Sequence, residues 1–282
     1  MSNGYADPKA LVTTEWVAKS LKKKNLRIVE VDEDTTLYDQ GHIPGAITLH
    51  WMNDLEHNLL RELTDPQVFA QLLGRHGVGK GTTVIFYGDR NNWFAAYAYW
   101  IFEYYGHKKK AIMDGGRAKW VAESRPLTAE RPMIAAAEYP IPKPRKKVRA
   151  WKEDVTKLLK NPGGRALVDV RSPGEFSGQL IAPPEYAQEG ARRGGHIPTA
   201  QSIPWPQACN PDGTFKSADE LRAVYGAKGV TPDKDVIAYC RIGERSSHTW
   251  FVLSKLLGYE KVRNYDGSWT EWGNLVNAPI EK

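Results

Sequence analysis

The chain has 282 residues, 41% of them apolar and 26% charged, with ten tryptophans and a formal net charge of +6. That length suits two domains, each able to bury its own core. Two cysteines, Cys209 and Cys240, exclude a disulfide framework and a zinc-type thiol cluster, and the scarcity of thiols fits a reducing, cytoplasmic setting.

The N-terminal stretch MSNGYADPKALVTTEWV lacks a basic and an apolar signal region, so no secretory leader is expected. The positive excess gathers in LKKKNLR (21–27), HKKK (107–110) and KPRKKVR (143–149), which read as solvated faces. No zinc finger, KH loop or RNP pattern supports a nucleic-acid partner. A mildly basic surface does attract small anions.

In chain order, the β-branched run IVEV (28–31) predicts a buried strand, followed by a polar loop that reaches Gly41-His42-Ile43-Pro44. PQVFAQLLGRHG (66–77) predicts a helix and TVIFY (83–87) a second buried strand. WFAAYAYWIFEYY (93–105) reads as a buried helix; it is too short for a bilayer and contains Glu103. A short strand then ends at Asp114-Gly115. Residues 126–150, with five prolines and no periodicity, read as an extended surface linker.

The pattern then restarts. LVDV (167–170), Gly195-His196-Ile197-Pro198, SADELRAVYGAKG (217–229), DVIAY (235–239), an apolar helix and a strand ending at Asp266-Gly267 follow in the same order. Residues 83–120 lie on 235–272 without a gap at a constant offset of 152. Val84/Val236, Tyr87/Tyr239, Gly106/Gly258, Asp114/Asp266 and Trp120/Trp272 coincide. This is a duplicated α/β domain, each copy a parallel sheet flanked by helices on both faces. The expected boundaries are 1–125 for the first copy, 126–150 for the linker and 151–282 for the second.

Cys240 ends the run DVIAY, at the carboxyl edge of a parallel sheet, where such folds bind ligands. The loop Arg241-Ile242-Gly243-Glu244 leads into a helix that begins near Arg245 or Ser246. A tight loop at a helix N-terminus turns backbone N–H groups toward an anion, and flanking arginines make a thiol easier to ionise. Cys240 is therefore the candidate nucleophile. The first copy has Gly88 at the matching position, so it cannot do thiol chemistry.

With these residues the chain resembles the tandem rhodaneses, two-domain thiosulfate sulfurtransferases, over nearly its whole length. Two signatures carry the resemblance together with CRIGER (240–245). They are Tyr38-x3-His42-Ile43-Pro44-Gly45-Ala46-x2-Leu49 and Val262-x2-Tyr265-Asp266-Gly267-Ser268-Trp269-x-Glu271-Trp272. The chain also resembles actinobacterial members with this same CRIGER loop. The resemblance implies that Cys240 takes the outer sulfur of thiosulfate as a persulfide and passes it to cyanide or another thiophilic acceptor. No metal or organic cofactor is implied. Backbone groups from Ile242 through Gly243, Glu244 and Arg245 to Ser246 would hold the persulfide, and Arg241 and Arg245 would attract the dianionic donor.

There are departures from the family pattern. Ile242 stands where thiosulfate-type members often have lysine, and CRIGER does not match the small, serine-bearing loop of mercaptopyruvate-type members. The family's donor-binding arginine falls at Glu175. Arg171, or Arg192 or Arg193 from the insertion 180–195, would replace it. Glu244 is expected to point outward or to pair with an arginine. His42 and His196 read as structural because the inactive copy shares the motif, and His248 has only a minor claim on the substrate. Cys209 reads as noncatalytic, and Trp269 and Trp272 as packing residues.

A 3-mercaptopyruvate sulfurtransferase and a persulfide carrier that delivers sulfur to a protein partner are the alternatives. A phosphatase loop needs five residues between cysteine and arginine, and here four intervene. A monomer or small homo-oligomer is expected, with no membrane partner.

Overall fold

The computed structural model describes residues 3–183, 185–186 and 190–282. The chain forms two compact units. The N-terminal unit comprises Lys9–Arg145 together with Cys209–Phe215. The C-terminal unit comprises Lys146–Ala208 and Lys216–Lys282, together with the described residues before Lys9.

These limits differ from contiguous halves. Residues 126–145 go with the N-terminal unit instead of standing between two domains. Thr128 bridges His42 in antiparallel fashion, and the Ala137 N–H donates to the Gly74 carbonyl at 2.9 Å. Cys209–Phe215 also joins this unit, where the Phe215 N–H donates to Asp114 at 2.9 Å and Asp212 pairs with Lys119 at 3.0 Å.

In the N-terminal unit the strands are β1 (Leu11–Val12), β2 (Leu26–Glu30), β3 (Ile47–Thr48), β4 (Thr83–Tyr87) and β5 (Lys110–Met113). They form one parallel sheet in the order β1-β5-β4-β2-β3. The accompanying helices are α1 (Thr14–Ser20), α2 (Leu37–Gln40), α3 (Pro66–Arg75), α4 (Trp93–Tyr104) and α5 (Gly116–Ala122). Every residue of α4 is buried, as its largely apolar sequence requires, and its one acid, Glu103, pairs with Lys110 and Arg145.

The C-terminal unit repeats the plan. Strands β6 (Arg149–Ala150), β7 (Arg165–Asp169), β8 (Gln201–Ser202), β9 (Asp235–Tyr239) and β10 (Val262–Tyr265) run parallel in the order β6-β10-β9-β7-β8. Its helices are α6 (Lys152–Lys160), α7 (Pro173–Phe176), α8 (Ala218–Gly226), α9 (Glu244–Phe251) and α10 (Ser268–Trp272).

Strands β4, β7 and β9 bury all but their first residue, as expected for strands covered on both faces. Leu167, Ile237, Tyr239, Tyr265, Trp269 and Trp272 meet in one core of the C-terminal unit, where the two tryptophans pack as expected. Among the described residues, no helix is long and apolar enough to cross a membrane.

Candidate active site

Cys240 follows the last residue of the central strand β9, whose neighbours end in register at Asp169 and Tyr265. It therefore lies at the carboxyl edge of the sheet, as its position in the sequence implied. The chain reverses through Arg241, Ile242 and Gly243 before α9 begins at Glu244. Gly243 adopts φ 106°, and a Cβ there would come within 2.6 Å of the Asp266 Cα, so only glycine fits. Its N–H donates to the Cys240 Sγ at 3.1 Å.

The turn after β10 clamps this loop from the side. The Cys240 N–H donates to the Ser268 hydroxyl at 3.0 Å, and the Cys240 carbonyl accepts from the Trp269 N–H at 3.1 Å. The Arg241 carbonyl accepts from both the N–H and the hydroxyl of Thr270, at 3.0 and 2.9 Å. Asp266 is held by two 2.9 Å bonds from Arg149. Ser268, Thr270, Asp266 and Arg149 were missed as site residues. Three of them lie inside the C-terminal signature, which was the available signal.

Helix α9 is polar in sequence yet wholly buried. Its first-turn hydroxyls close on the loop instead of on water. The Gly243 carbonyl lies within hydrogen-bond range of the Ser246 and Ser247 hydroxyls and the Asn264 amide, at 3.1, 2.8 and 2.9 Å. Such mutual satisfaction offsets the cost of burying these serine hydroxyls, though the Glu244 Oε1 in the same turn accepts no hydrogen bond among the described residues.

Cys240 is fully buried. Burial and the Glu244 carboxylate push its thiol up, against Arg245 and the hydroxyl and N–H of Ser246, which pull it down. The expectation of an easily ionised thiol is thus corrected for this state. Glu244 does not point outward. It is 1% exposed, with Oε2 at 3.4 Å from the Cys240 Sγ and Oε1 at 3.9 Å from the Arg245 Nε.

Arg245 is turned away from donor binding. Its two terminal nitrogens hold the Glu175 carboxylate at 2.9 and 3.0 Å. Burial would raise the Glu175 carboxyl, but the bonds and charge of Arg245 outweigh it and hold the group at about 2. Glu175 is itself fixed in a capping box with Ser172 at the start of α7. A buried ion pair therefore occupies the position at which the resemblance implied a donor-binding arginine.

Two of the other expected arginines, Arg171 and Arg193, are also engaged elsewhere. Arg171 is 1% exposed, donates to Asp169 and the Gly195 carbonyl, and lies over the Trp269 ring. Arg193 donates to the carbonyls of Gly273, Ala278, Trp272 and Leu275, so it fastens the C-terminal segment. The Arg192 main-chain N–H donates to Asn274 at 3.0 Å, and its side chain is exposed. Neither Arg171 nor Arg193 is brought to the thiol.

Arg241, 4% exposed, stacks on Tyr186 with its guanidinium carbon 4.5 Å from the ring centre. Ile242 is partly exposed. His248 meets Trp205 edge-on, and burial holds its imidazole down at about 3, hence neutral. His42 and His196 each bond a main-chain carbonyl through Nδ1 and stack on Tyr38 and Phe176, which is structural work.

The N-terminal unit shows what the same loop looks like without a nucleophile. A Cβ on Gly88 would fall 2.1 Å from the Val31 carbonyl oxygen, so no side chain fits there. Its N–H donates to Asn92, the last of three consecutive residues with positive φ.

The Rhodanese-like domain family matches residues 13–123 and 152–275. The "Sulfur carrier protein TtuD" of Thermus thermophilus is 55% identical over 99% of both chains. A "Putative thiosulfate sulfurtransferase" of Saccharopolyspora erythraea is 54% identical over 96% of this chain and 95% of its own. The anaerobic ergothioneine biosynthesis enzyme of Chlorobium limicola, solved with trimethyl histidine, shares the fold. Its TM-score is 0.83 at 24% identity, over 99% of this chain and 71% of that one. With a family match over both halves and relatives this similar along its whole length, the chain belongs to the rhodanese-like sulfurtransferase family, with the domain in two tandem copies.

Proposed function

We propose that this chain is a thiosulfate sulfurtransferase that moves a sulfane sulfur through a persulfide on Cys240. The observation that carries the reading is the placement of Cys240. It directly follows the central strand of one unit with a backbone N–H on its sulfur, while the matching residue of the other unit is a glycine with no room for a side chain.

In the first half-reaction the Cys240 sulfur attacks the outer sulfur of thiosulfate. The S–S bond of the donor breaks and its electron pair leaves with sulfite. In the second, the acceptor attacks the outer sulfur of the persulfide; cyanide becomes thiocyanate and Cys240 is restored. A covalent relay of this kind gives ping-pong kinetics. The sulfur rides on the cysteine, so neither step calls for a cofactor. Because the Cys240 sulfur is fully buried, the donor reaches it only when neighbouring side chains shift. With Arg245 committed to Glu175, Arg241 is the loop cation assigned to the anionic donor.

Thiocyanate formation from cyanide, with thiosulfate and separately with 3-mercaptopyruvate, tests the proposal. Faster turnover with thiosulfate, abolished in Cys240→Ser, supports it. Arg241→Ala is expected to raise the KM for thiosulfate about tenfold, the loss of one charge-assisted contact. Preference for mercaptopyruvate overturns the donor assignment.

A second reading, a carrier that hands the sulfur to a protein, is favoured by the similarity to the Thermus carrier and by the enclosed sulfur. Stoichiometric sulfur uptake without turnover on either donor would select it.

A further inference from the structure

We propose that Glu244 is the proton carrier of the sulfur-loading step, taking the thiol proton of Cys240 and handing it to the leaving group of the donor. This rests on the reading of Cys240 as the sulfur acceptor.

Glu244 stands in the first turn of α9, 1% exposed, with Oε2 3.4 Å from the sulfur. Among the described residues, its Oε1 accepts no hydrogen bond. A buried carboxylate with an unsatisfied oxygen is costly, and a long ion pair with the Arg245 Nε offsets only part of that cost. Arg245, the adjacent cation, gives its two terminal nitrogens to Glu175 and approaches the Glu244 Oε1 through Nε at 3.9 Å. The nucleophile, at 3.4 Å, lies nearer to the carboxylate than the Arg245 Nε does.

The other charged groups around this point are fixed. Glu175 neutralises Arg245, and Asp266, across the loop from Gly243, is tied to Arg149. Arg241 lies on Tyr186, and His248 is neutral.

A thiol that donates to a carboxylate and is cut off from water stays protonated, which is the direction found for Cys240. Attack then needs a base within hydrogen-bond reach, and Glu244 is in that position. The proton passes from sulfur to the carboxylate as the new S–S bond forms. It then passes to the departing group as the old bond breaks. The thiol and thiosulfate dianion thus give the Cys240 persulfide anion and bisulfite. A persulfide donor would give the same anion and a thiol. An alkyl thiolate is a stronger base than sulfite, so loss of the carrier hurts loading from an organic persulfide more than loading from thiosulfate.

The test uses full-length protein carrying Cys209→Ser, so that Cys240 is its one thiol. Single-turnover sulfur loading from thiosulfate is followed by mass spectrometry. Thiolate ultraviolet absorbance is titrated against pH in the reference protein, Glu244→Gln and Glu244→Asp. The glutamine variant is expected to ionise at lower pH and yet load about 10²-fold more slowly at saturating donor, with half-saturation little changed. Aspartate should recover part of the rate.

A glutamine variant that loads as fast as or faster than the reference overturns the proposal, because Glu244 would then merely restrain the thiol. An aspartate variant no better than glutamine overturns it as well, since packing would then explain the loss. A reference protein that takes no sulfur on Cys240 overturns the underlying function and the carrier with it, a result distinct from a fast glutamine variant.

Discussion

Arg245 and Glu175 show how far a single charge can depart from what its neighbours in sequence suggest. Beside Cys240, Arg245 reads as a donor-binding cation, yet its guanidinium closes on a carboxylate 70 residues earlier in the chain. No local pattern announces a pairing across that distance; Ser172 and Glu175 announce only a helix cap. The pair makes a pH prediction. Glu175 titrates at about 2 in the folded chain, below its ordinary value of 4.5. Its contribution is therefore complete above about pH 4.5 and is lost as pH falls toward 2, worth about 3 kcal/mol. Urea unfolding of the wild type should lose stability across that window, and Glu175→Gln should lose less there. At neutral pH the same variant strands a buried guanidinium, so it should be about 3–5 kcal/mol less stable than wild type. Equal stability of the two at pH 7 would contradict the geometry.

At the scale of elements, the strand–loop–helix around Cys240 was legible where hydrophobic pattern dictates structure. DVIAY reads as a buried strand and is one, and the apolar residues from Trp250 onward do continue a helix, through a π turn over Val252–Leu256. The polar first half of α9 was not legible as core. Its burial depends on serines that close on the Gly243 carbonyl and on Asn264 from a different strand. For Glu244 the sequence left open an outward carboxylate or one paired with an arginine; the structure turns it inward, 3.9 Å from the Arg245 Nε, and its contact with the Cys240 sulfur was not foreseen. Gly243 supports the whole arrangement. Gly243→Ala should destabilise the C-terminal unit by about 1–3 kcal/mol, since φ near 106° and the contact with Asp266 both resist a side chain. It should also abolish sulfur loading on Cys240. Unchanged loading would mean that the Gly243 N–H contributes little to holding the sulfur.

The whole molecule is one domain written twice, and the constant offset between the copies made that readable without coordinates. Both sheets have the same strand order and direction, which the repeated strands and helices implied. The limits of the units were less readable, because Cys209–Phe215 belongs with the N-terminal unit although it lies within the second copy in sequence. The duplication also predicts a single site per chain. Gly88→Cys should lower the melting temperature of the N-terminal unit without creating a second sulfur acceptor, because the Val31 carbonyl occupies the space that the new Cβ would need.

Sulfur transfer through Cys240 is tested most directly by peptide mass spectrometry of the wild-type protein after a single exposure to thiosulfate. One added sulfur per chain is expected, on the peptide that carries Cys240, removable by cyanide with release of thiocyanate and absent in Cys240→Ser. Sulfur on Cys209, or an unmodified Cys240 with thiocyanate still forming, would contradict it.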